Sequence, residues 1–143
     1  MFPLRDSIPS SRPPVVNVLL IAACAVAFVF ELSLGSYLER FLRAYAFVPV
    51  RLFQPAVFDV NLLFNIRSVL LSMFLHGGWF HLISNMWFLW IFGDNVEDVL
   101  GHVRYLLFYL GCGGAAALAQ AAIAPTSQVP GGHNLPGTMR YLR

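Results

Sequence analysis

The chain has 143 residues, of which 58% are hydrophobic and 11% charged, with a mean hydropathy of +0.68. Too few polar groups are present to cover a globule in water, which excludes an ordinary soluble domain. The formal charge of +2 is carried on arginine alone, and the arginines are scattered rather than gathered into a patch, which argues against a nucleic-acid partner.

Residues 1–14 are rich in Pro and Ser, carry Arg5 and Arg12, and read as a solvated tail. Residues 15–34 form an apolar block with Asn17 and Glu31 near its ends, long enough to cross about 30 Å of hydrocarbon as a first transmembrane helix. A cleaved signal peptide competes with this reading, but the block exceeds a usual apolar signal region and has no clear small-residue cleavage site before a polar chain. From 35 to 70, Glu39, Arg40, Arg43, Arg51, Asp59 and Arg67 punctuate apolar and aromatic residues, and Pro49 and Pro55 break any long helix. So much Phe, Leu and Val predicts short amphipathic pieces at the membrane interface rather than a disordered loop.

A second span is expected over 79–92, entered through Gly77 and Gly78 and stopped by Gly93. Asp94 with Glu97 three residues on has the form of a capping box for a short following turn or helix. A third span is expected over 103–123. Its pairs Gly111 and Ala115, Gly113 and Ala117, and Ala115 and Ala119 have the spacing that lets helices approach closely. Residues 124–143 then form a polar, Pro- and Gly-rich tail of aberrant or disordered character. Cys24 and Cys112 both lie in apolar blocks, where cysteine acts as a small hydrophobe rather than as a disulfide or metal ligand.

His76, His81 and Asn85 need a reason. His81 and Asn85 are one helical turn apart and share a face, while residues 86–92 are all apolar. Polar groups at membrane depth cost free energy unless they are used. His-x4-His-x3-Asn is not a familiar zinc spacing and has no acidic or thiol companion on the same helix, so neither metal nor cofactor is expected. A proton relay would want a second titratable group on the third span. Neutral N–H donors that stabilise a developing oxyanion suit the residue types, because they add no buried cation. Helix-to-helix hydrogen bonding, worth about 0.6 kcal/mol per bond, is an equal competitor from spacing alone.

The stretch LSMFLHGGWFHLISNMWFLWIFGDNVEDVLGHVRYLLFYL resembles the rhomboid intramembrane serine proteases, with the likeness running from about Ser72 to Gln120. HGGW, the following His81, Asn85 four residues later, and Gly93, Glu97 and Gly101 at GxxxExxxG spacing carry it together. The resemblance implies an all-α membrane protein. Residues 15–123 would form part of a rhomboid-like helical bundle, with about three spans and a long membrane-embedded first loop. It implies that His81 and Asn85 help form an oxyanion hole with His76 close by, and that the substrates are transmembrane proteins held among membrane lipid. It also implies a cytoplasmic N-terminus, here expected in a bacterial inner membrane. Naive arginine counting opposes this orientation: Arg5, Arg12 and Arg104 fall on one side and Arg40, Arg43, Arg51, Arg67, Arg140 and Arg143 on the other. The oligomeric state is left open.

In that family a GxSG serine and a histidine on a later helix perform the attack. Here GGHNLPGTMRYLR follows Val129 and Pro130, Ser127 has no glycine context, and His133 lies in the polar tail. The expectation is a rhomboid-type serine endopeptidase truncated before its nucleophile and inactive by itself. A non-catalytic rhomboid-like protein that binds transmembrane partners is the alternative, and a purely structural helical membrane protein a third.

Overall fold

The computed structural model describes residues 13–53 and 61–124, all helix, turn or connection. The chain runs through α1 (Val15–Leu34), a 3₁₀ turn (Gly35–Tyr37), α2 (Leu38–Tyr45), α3 (Pro49–Phe53) and α4 (Leu62–Ser72). It continues through α5 (Trp79–Phe88), a π turn (Leu89–Gly93), α6 (Asp94–Leu100) and α7 (His102–Ile123). The expectations for the two tails, including Arg5, Arg12, Ser127, His133, Arg140 and Arg143, and for Pro55 and Asp59, lie outside the described residues.

Two helical stretches among the described residues are long and apolar enough to cross a membrane, one beginning at Val15 and containing α1, the other being α7. Much of their apolar surface has no protein cover: Val26 and Val29 of α1 and Leu107 of α7 are well exposed. Such a surface is stable only against lipid or further protein. The chain is therefore an all-α integral membrane protein.

The interior is small. Cys24 and Phe28 of α1 meet Leu82 of α5, with Phe74 and Met86 packed alongside, and Phe28 sets its ring edge-on to Trp79 at 4.8 Å between centroids. Cys24 thus behaves as the small hydrophobe expected, whereas Cys112 is exposed on α7. The described residues of the interval 35–70 are helical in pieces. In α2 the apolar Leu38, Phe41, Leu42 and Tyr45 recur at helical spacing, and Phe41 packs against Phe30 of α1 at 5.5 Å. Asn61 caps α4 by accepting from the Phe64 N–H at 2.8 Å, and the Ser72 hydroxyl accepts from the Phe47 N–H at 2.7 Å.

Two expectations around Gly93 are corrected. The helix does not stop there: it widens into a π turn and runs on into α6, ending at Gly101, whose φ of 78° suits glycine. A Cβ on Gly93 would lie 2.2 Å from Asn17 Oδ1, so the glycine is there for the approach of α1. Nor do Asp94 and Glu97 form a capping box, since α6 has no side-chain cap. Glu97 caps a different helix: its two carboxylate oxygens accept from the N–H groups of Val16 (2.9 Å) and Asn17 (2.7 Å) at the start of α1. That end of α1 begins after Pro14 without a local cap, so the carboxylate meets orphan donors and the positive end of the helix dipole.

Candidate functional site

His76, His81 and Asn85 line one cavity of about 380 Å³, together with Glu31, Ser72 and Gly77. Each comes from a different local device. Glu31 lies near the end of α1, His76 in the connection between α4 and α5, and His81 and Asn85 one turn apart on α5. The far wall is α7, through Gly113, Ala117 and Gln120. A Cβ on Gly113 would fall 2.2 Å from the Met73 methyl, so the small residue allows α7 to close on the end of α4. Of the small-residue pairs, Gly113 and Ala117 face this cavity, while Gly111, Ala115 and Ala119 are exposed.

His76 is the most fixed member. It is 4% exposed, its N–H donates to Glu31 Oε1 at 2.9 Å, and its Nδ1 lies 2.9 Å from the Phe74 carbonyl. A carbonyl only accepts, so Nδ1 carries the proton and Nε2 keeps its lone pair. Burial pushes the imidazole pKa down, and the nearby His81 adds to this against the opposing pull of the Phe74 carbonyl, so the ring is held neutral. The His81 ring lies 5.2 Å from it, centroid to centroid. His81 is exposed and Asn85 half-buried, so this pair is not enclosed by the described chain but presented along the cavity wall. N–H donors of the His81 imidazole and the Asn85 carboxamide on one cavity wall can stabilise negative charge on a bound oxygen. No group of three or more His, Cys, Asp or Glu side chains among the described residues is placed to hold a metal ion.

Asn17 and Glu31 matter more than their positions at the ends of an apolar block indicated. Asn17 Nδ2 donates to the Leu89 carbonyl at 2.8 Å, at the start of the π turn, and Asn17 Oδ1 accepts from the Tyr105 hydroxyl at 2.9 Å. Glu97 also pairs with His102 Nδ1. Burial alone would raise the Glu97 carboxyl pKa, but His102 and the Val16 and Asn17 N–H groups outweigh it and hold the carboxyl below its ordinary value. The signal for both missed residues was available as a polar side chain interrupting an apolar run, with its partner far along the chain.

Comparison with known proteins places the chain in a family. The Rhomboid domain family profile matches residues 64–135, starting before and ending after the stretch between Ser72 and Gln120 that carried the resemblance. The chain is 41% identical over 58 residues to rhomboid-like protein 11, chloroplastic, of Arabidopsis thaliana, covering 41% of this chain and 21% of the relative. It is 38% identical over 45 residues to the presenilin-associated rhomboid-like protein, mitochondrial, of Homo sapiens, covering 32% of this chain and 12% of the relative. No solved structure gives a significant match. These relatives are organellar proteins of eukaryotes, and the alignments cover less than a quarter of either. With the profile spanning half of its residues, the chain belongs to the rhomboid family.

Proposed function

We propose that this chain supplies the oxyanion-stabilising half of a rhomboid-type intramembrane serine endopeptidase that cleaves transmembrane substrates. The observation that supports it is the shared cavity: His81 and Asn85 line it one turn apart, beside a His76 held neutral and anchored to Glu31. Residues 79–92 would be the middle span, with the N-terminus on the cytoplasmic side. The nucleophile is to be sought elsewhere, since no GxSG occurs in the 143 residues. By itself the polypeptide therefore leaves a fluorophosphonate probe unreacted. Labelling of any of its serines would overturn that part of the reading.

The decisive experiment joins residues 1–124 to the later helices of an active rhomboid protease, which contribute the serine and histidine. Cleavage of a transmembrane reporter by this chimera is expected, with a loss of about 100-fold or more in kcat for His81→Ala or Asn85→Ala. A folded chimera whose activity ignores both substitutions would defeat the assignment. It would favour the alternative, a non-catalytic rhomboid-like protein that binds transmembrane partners. Reading the encoding DNA past Arg143 in all three frames separates the two further, because a GxSG followed by apolar blocks is expected only for the protease.

A further inference from the structure

We propose that α2, α3 and α4 together hold the headgroup of an anionic phospholipid through Arg51 and Arg67. The described parts of these three helices carry Arg40, Arg43, Arg51 and Arg67 against a single acid, Glu39. Glu39 is already engaged by Arg43 at 2.8 Å, so three positive charges have no carboxylate among the described residues.

The guanidinium groups are placed rather than loose. Arg51 lies 5.8 Å from the centre of the Phe64 ring, and its Nη2 donates to the Arg43 carbonyl at the end of α2, while Nη1 is buried without an acceptor among the described residues. Arg67 lies 5.6 Å from the centre of the Tyr45 ring. Phe64 and Arg67 are one turn apart on α4, and Tyr45 closes α2, so the two cations border the same junction of helices. Aromatic faces orient a guanidinium without neutralising it, which leaves the exposed fork of Arg67 for a bidentate oxyanion such as a phosphate, with Arg51 adding its charge at the same junction.

A lipid fits better than a free anion because of what surrounds Arg67. Leu63, Ile66 and Leu70 are exposed on α4 around it, at 73%, 48% and 41%. Arg67 thus stands within an apolar stripe that favours acyl chains, while its head group and that of Arg51 favour phosphate. An arginine that buries its stem beside hydrocarbon and keeps its charge at headgroup level has the expected interfacial posture. The occupant is therefore a phosphodiester carrying acyl chains and a net negative charge.

The test uses the full chain in bilayers of phosphatidylcholine containing a minor fraction of phosphatidylglycerol, with the lipids it retains counted by native mass spectrometry. Phosphatidylglycerol should be enriched over phosphatidylcholine, and the enrichment should fall about five-fold for each of Arg51→Gln and Arg67→Gln. Arg104→Gln, on α7, should leave it unchanged. Arg67→Gln, at an exposed position, keeps the test readable if Arg51→Gln fails to fold. Loss of enrichment with Arg104→Gln as large as with Arg67→Gln would reduce the effect to net charge and overturn the site. So would displacement of the lipid by inorganic phosphate, which would make it a free-anion site, or an unchanged enrichment in a folded Arg67→Gln protein.

Discussion

The two ends of α1 carry polar clusters of opposite character, about 20 Å apart along the helix axis. At the Asn17 end, both oxygens of Glu97 and both polar atoms of Asn17 have partners, and Gly93 is cut away to let them meet. At the Glu31 end, one carboxylate oxygen and the His76 ring are anchored, while His81 and Asn85 line a cavity of about 380 Å³. A saturated network specifies structure, and a polar wall lining a cavity is available to a ligand. Substitutions at the first end should therefore cost stability, and those at the second should cost function.

The largest stability effect is expected from Glu97→Ala, which leaves the α1 N–H groups and His102 without their acceptor. A loss of about 3 kcal/mol should appear in unfolding of the purified protein in mixed micelles. Gly93→Ala should follow at about 2 kcal/mol, because its methyl group would occupy the space of the Asn17 carboxamide. Asn17→Ala made in the same chain should remove part of that penalty, and strict additivity would show that the two residues do not share the space.

Acidification should act in two stages, both destabilising. The His76 pKa is lowered on folding, so the unfolded chain takes up a proton that the folded site resists, and stability falls as pH drops below the ordinary imidazole value near 6.5. The Glu97 pKa is also lowered, so its contribution is present above the ordinary carboxyl value near 4.5 and is lost as pH falls through the folded value. His76→Gln should remove the first stage and keep the second. The smallest effect is expected from His81→Ala and Asn85→Ala, each within about 1 kcal/mol of the parent. A loss as large as that of Glu97→Ala would make the cavity wall a structural network like the other end.

Local chemistry was readable wherever cause and effect lie close in the chain. The apolar runs of α1 and α7 follow from composition, the shared face of His81 and Asn85 from helical period, and the broken helices between Gly35 and Phe53 from their charges and Pro49. The misreadings at Gly93 and Glu97 have one origin. Glycine after an apolar helix ordinarily ends it, and an acid three residues past Asp94 ordinarily caps locally. Here both residues answer to Asn17 and the first turn of α1, whose distance in sequence conceals the contact. Glu31 was legible only as an oddity within an apolar block, because the N–H it accepts belongs to a connection 45 positions later.

The cap that Glu97 places on α1 also sets a timetable. Its oxygens reach N–H groups 80 and 81 positions earlier in the chain. At about 5–20 residues per second of synthesis, the first helix waits roughly 4–16 s for the residue that completes its leading turn. During that interval its start has only water or lipid headgroups to satisfy it. The first span thus enters the membrane with a provisional end, and α6, arriving late, locks that end in place.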